Sequence, residues 1–135
     1  SDPAWLNTER TDLPTLLSRA DIVTLHCPLT PETRGLIGAE QIAAMRPGAI
    51  LINTARGGIV DEAALAAALR SGHLGGAAID VFDTEPITAE TAALFAGLPN
   101  VILTPHISGV TAESNARISA VTVDNVLRAL QDRRP

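Results

Sequence analysis

The sequence predicts an α/β fold, an incomplete doubly wound parallel sheet with flanking helices. Three observations predict it. Short apolar runs recur along the 135 residues, each closed by polar or turn residues. Helical patterns fall between those runs. The 46% of hydrophobic residues are nearly all Ala, Leu, Ile and Val, with Trp5, Phe82 and Phe95 the only aromatics, which suits close helix-on-sheet packing.

In order, Leu13 to Arg19 reads as a helix and Asp21-Ile22-Val23-Thr24-Leu25 as a buried parallel strand. A second helical pattern runs from Gly38 to Met45 and is stopped by Pro47-Gly48, before the run Ala49-Ile50-Leu51-Ile52-Asn53. Asp61 to Ser71 is helical, with Asp61 and Glu62 in its first turn and Gly72 past its end. Gly76 to Asp80 and Asn100 to Thr104 are further buried runs. About Ala112 to Gln131 a longer amphipathic helix closes the pattern, its face of Glu113, Arg117, Asp124 and Arg128 expected in solvent.

Composition narrows the function. A formal charge of -5 without a Lys/Arg cluster, together with the scarcity of aromatics for base stacking, argues against nucleic acid and anionic membranes as partners. No apolar run approaches the roughly 18 residues of a membrane span. A lone Cys27 forms no internal disulfide, and no residue cluster suggests a metal, so small molecules in a reducing cytoplasm are the expected setting.

Strand and helix alternating at this spacing imply right-handed crossovers, with ligands beyond the carboxyl ends of the strands. Those ends read His26-Cys27-Pro28, Thr54-Ala55-Arg56-Gly57-Gly58, Asp80-Val81-Phe82-Asp83-Thr84-Glu85-Pro86 and Pro105-His106-Ile107-Ser108-Gly109. They are expected to share one rim. His106 is the candidate acid/base, since imidazole titrates nearest neutrality, whereas His73 in its Ser-Gly-His turn is expected to face solvent. Glu85 is the candidate carboxylate that raises the basicity of His106 and orients it. Arg56, beside Ala55 and Gly57-Gly58, offers a guanidinium fork for a substrate carboxylate. His26 reads as a half-buried ring, Cys27 as a small apolar filler, and Gly57-Gly58 as a turn with positive φ. These residue types fit acid/base work on an anion but do not by themselves reveal hydride transfer.

Asn53-Thr54-Ala55-Arg56-Gly57-Gly58-Ile59-Val60-Asp61-Glu62, then Ala78-Ile79-Asp80-Val81-Phe82 with Glu85-Pro86, then Pro105-His106, resemble in order and spacing the D-isomer-specific 2-hydroxyacid dehydrogenases. The resemblance implies a Rossmann-type sheet and an oxidoreductase that moves a hydride between NAD(H) and a 2-hydroxy or 2-keto acid. It implies that Arg56 binds the substrate carboxylate and carbonyl oxygen, that His106 exchanges the proton, and that Glu85 keeps His106 basic. It further implies that Asp80 bonds the nicotinamide carboxamide, while His26, Cys27, Pro28, Thr54, Ala55, Arg56, His106 and Gly109 line the cofactor. Asp2 would grip the adenosine ribose, favouring NAD over NADP. Glu85 sets the chain apart from the formate dehydrogenase branch, which carries a different partner for its histidine.

A dinucleotide site also needs Gly-x-Gly-x-x-Gly after its first strand, and no such run occurs in the sequence. The chain is therefore expected to be residues 1–135 of a partial NAD-binding domain, a fragment of a longer homodimeric enzyme lacking the first strand and glycine-rich loop, and inactive alone. With strand order 3-2-1-4-5-6, the first two runs are expected to be strands 3 and 4, with two missing strands between them. That gap would expose edges and apolar faces. An NAD(H)-sensing interaction module of the corepressor type, which resembles the same family, is the alternative function.

Overall fold

The structure is a computed structural model that describes residues 8–131, and it divides the chain into two compact units, 1–105 and 106–135.

The first unit begins with helix α1 (Leu13–Arg19), where the Asp12 carboxylate accepts from the Thr15 N–H at 2.8 Å and Pro14 sits in the first turn. Strand β1 (Ile22–Leu25) follows, then α2 (Ala39–Ala44), β2 (Ile50–Asn53), α3 (Glu62–Arg70) and β3 (Gly76–Ile79). Asp61 caps α3 by accepting from the Ala64 N–H at 2.9 Å. Next come α4 (Ala89–Phe95), capped by Thr88 on the Thr91 N–H, and β4 (Val101–Leu103). The sequence reading did not anticipate α4. Its seven residues complete barely two turns and bury Phe95 alone, so they leave little periodic signal.

All four strands are parallel, in the order β1-β2-β3-β4. The expected two-strand gap between the first and second runs is overturned, because Ile22 to Leu25 pair in register with Ile50 to Asn53. The connection through α2 is a single crossover, which returns the chain beside the strand it left.

Burial alternates along the strands. Val23, Leu25, Leu51, Ala77 and Ile79 face a core with Leu17, Ile37, Ile42, Met45, Leu65 and Leu69. On the other face, Ile22 is 57% and Ile102 66% exposed. The strands read as buried thus bury one face in this unit by itself, and the other carries exposed apolar side chains. His73 also departs from expectation. The Gly72 turn, at φ +75°, brings its ring back, half-buried, with Nε2 3.0 Å from the Ile42 carbonyl at the end of α2.

The second unit holds α5 (Ala112–Gln131), begun by the Thr111 hydroxyl accepting from the Ser114 N–H at 3.0 Å. Within this unit its polar face is exposed as expected, and Ile118, Val126, Leu127 and Leu130 are exposed as well.

Candidate active site

β2 and β3 lie side by side, so the loops leaving their carboxyl ends are neighbours. Arg56 stands three residues beyond β2, exposed, with Nη1 donating to the Ala55 carbonyl at 2.6 Å. A guanidinium carries five N–H groups, so this bond leaves donors for a carboxylate. What holds the loop is Asn53, the last residue of β2 and only 2% exposed. Its Oδ1 accepts from the Ala55 N–H at 3.1 Å and its Nδ2 donates to the Arg56 carbonyl at 3.0 Å.

The β3 loop carries the acids. Asp80, 2% exposed, takes a 2.5 Å hydrogen bond from the Thr104 hydroxyl just past β4, and its N–H donates to the Asn53 carbonyl at 3.0 Å. Glu85 is exposed and accepts from the Phe82 N–H at 3.0 Å through Oε1, which folds the loop over its own start.

The two loops touch at Gly57. A Cβ there would lie 1.8 Å from the Phe82 carbonyl oxygen, so the position admits no side chain. This replaces the expectation that both glycines serve a positive φ beside a cofactor. Only Gly58 has one, +74°, while Gly57 is required by the main chain of the neighbouring loop. Behind the contact, Arg34 pairs with Asp83 at 3.2 Å and Glu62 accepts from the Asp83 N–H at 2.7 Å.

Past β1, the His26 ring is exposed rather than half-buried, its Nε2 3.0 Å from Thr24 Oγ1. Residues two apart on an extended chain share a face, and here it is the exposed one. Cys27 is half-buried against the core, as an apolar filler would be, and Pro28 is exposed with its carbonyl accepting from the Thr33 hydroxyl. Thr54 is exposed and Ala55 half-buried.

The structure therefore brings Arg56, Asp80 and Glu85 onto adjoining loops of one unit. His106 and Gly109 belong to the other. There His106 is exposed at φ +55°, a left-handed conformation uncommon outside glycine, and a turn follows in which the Val110 N–H donates to the Ile107 carbonyl at 2.9 Å. Asp2 lies outside the described residues. Asn53 and Thr104 were not singled out from the sequence. The available signal was a polar residue closing an apolar strand run just ahead of a loop with candidate chemistry. Among the described residues no group of three or more His, Cys, Asp or Glu is placed to hold a metal ion.

Residues 3–108 match the family model described as D-isomer specific 2-hydroxyacid dehydrogenase, NAD binding domain. The chain belongs to this dehydrogenase family. Among its relatives is an (S)-sulfolactate dehydrogenase of Chromohalobacter salexigens, 60% identical over 96% of this chain and 41% of that protein. Among solved structures, a Thermus thermophilus protein superposes with a TM-score of 0.84 at 46% identity, over 99% of this chain and 42% of the other. The NAD-complexed form of a D-isomer specific 2-hydroxyacid dehydrogenase from Lactobacillus delbrueckii gives 0.80 at 36% identity, over 93% and 42%. The chain spans about two fifths of the length of these proteins. These neighbours agree with the Rossmann-type parallel sheet expected from the sequence.

Proposed function

We propose that the 135 residues are part of the NAD-binding domain of a dehydrogenase that interconverts a D-2-hydroxy acid and its 2-keto acid. The observation that carries this reading is the interlock of the β2 and β3 loops, which presents an exposed Arg56 beside a buried Asp80 and an exposed Glu85 in a member of this family.

The residues present fit the nicotinamide end of the cofactor. Asp80, held by Thr104, is a fixed acceptor suited to a carboxamide, while Thr54 and Ala55 follow the adjacent strand β2 and His26, Cys27 and Pro28 follow β1, one strand further along the same edge. No Gly-x-Gly-x-x-Gly run for the pyrophosphate occurs in the sequence, so that end falls to residues other than these. NAD, when bound, supplies the acceptor for the hydride that leaves C2 of the hydroxy acid.

The protein groups do the rest. Arg56 clasps the substrate carboxylate with two parallel charge-assisted bonds, which fixes C2 and its oxygen. His106 takes the hydroxyl proton in oxidation and returns it in reduction, and Glu85 stabilises the imidazolium formed in between. Asp2 and Gly109 complete the proposed cofactor contacts. We infer a cytoplasmic homodimer, in keeping with an acidic chain whose one cysteine is half-buried against apolar neighbours; none of the described helices is long and apolar enough to cross a membrane.

The test is NADH oxidation by the full-length protein with glyoxylate, hydroxypyruvate, pyruvate and 3-sulfopyruvate. At least one acid is expected to turn over, and His106→Ala to reduce kcat at least a hundredfold. Turnover of none of them, or full activity in the His106 variant, would overturn the assignment.

A further inference from the structure

Asn53 carries chemistry that the family match does not assign. Its carboxamide is buried and spent on a single loop, accepting from the Ala55 N–H and donating to the Arg56 carbonyl. Those two bonds fix the peptide planes on either side of the segment that bears Arg56, and so the direction in which its Cα–Cβ bond leaves the backbone. The Asn53 main-chain carbonyl meanwhile accepts from the Asp80 N–H, tying the same point to the adjoining loop.

We propose that Asn53 is a positioning residue for substrate binding, acting through Arg56 to aim the guanidinium at the substrate carboxylate. The proposal rests on the reading that Arg56 binds that carboxylate. A bidentate contact tolerates little angular error, so a loop free to rotate its peptide planes would weaken the grip on the acid and leave the cofactor contacts in place.

Asn53→Asp keeps the acceptor for Ala55 but sets an anionic oxygen against the Arg56 carbonyl. Asn53→Ser is the milder form, which tests the same loop should a buried carboxylate impair folding. In the full-length protein, with the fastest-reduced acid of the same four, both variants are expected to raise KM for the acid tenfold or more while the Kd for NADH changes less than twofold. Introduced into an Arg56→Ala background, Asn53→Ser is expected to add less than a twofold change, because its target is already gone.

Equal weakening of acid and NADH, or a full Asn53 effect that persists without the Arg56 side chain, would identify a general loosening of the fold and overturn the proposal. If Arg56→Ala alone leaves KM for the acid unchanged, the underlying reading of Arg56 fails, a result separable from failure of the Asn53 step. Reduction of none of the four acids overturns both.

Discussion

Gly57 and Thr104 act on the site through single contacts, and each makes a sharp expectation. Gly57→Ala would drive a methyl into the Phe82 carbonyl, so the Arg56 loop must move away from the β3 loop. The full-length variant is expected to keep its circular dichroism and lose at least tenfold in kcat/KM. Thr104→Val removes a donor from the buried Asp80 carboxylate, a loss that costs about 1–3 kcal/mol. Urea unfolding should show that drop, accompanied by weaker NADH binding; unchanged stability would mean that the hydroxyl contributes nothing to holding Asp80. Arg56 and Glu85 stood out as candidates in the sequence because a guanidinium and a carboxylate after strand ends suit an anion and an imidazole, and Asp80 through the resemblance to the family. Asn53 and Thr104 did not. Their roles consist of bonds to residues whose direction becomes visible only in three dimensions.

Among the elements, the helix starts were the most legible part. Asp61 was anticipated in the opening turn of α3, and it caps that helix as its residue type favours. Asp61→Ala is expected to destabilise the protein by about 1 kcal/mol, read as a shift in urea midpoint. At α1, the N–H of Thr15 holds the Asp12 carboxyl below its ordinary pKa. A lowered folded-state pKa means that the contribution is present above the unfolded value and lost as pH falls through the folded one. The difference in urea midpoint between wild type and Asp12→Ala should therefore close on acidification and stay constant from neutral to alkaline pH. Strand positions were read to within a residue, but which face is covered in the first unit was not. An apolar run reports that a strand is buried somewhere, and continuous Ile-Val or Ile-Leu runs do not say which side has a partner.

For the molecule as a whole, Ile22 and Ile102 on one sheet face of the first unit, and Val126, Leu127 and Leu130 on the second, leave apolar surface uncovered in the chain by itself. Size-exclusion chromatography of the 135-residue chain is expected to show association, and NADH oxidation to be absent; a stable, NAD-binding monomer would contradict this. The amino-acid order alone determined the alternation of strands and helices, the parallel sheet and the residue types at the strand ends, because periodicity, turn residues and caps act over a few neighbours. Strand adjacency was decided only by tertiary structure, which set β1 directly against β2 where two strands had been expected between them. So were the lock of Gly57 against Phe82, the burial of Asn53 and the turn of His73 back to α2. Apart from the side-chain bonds of Asn53, which reach only Ala55 and Arg56, each depends on contact between segments distant along the chain, and the free energy of such a contact depends on which surfaces meet, which no local pattern encodes.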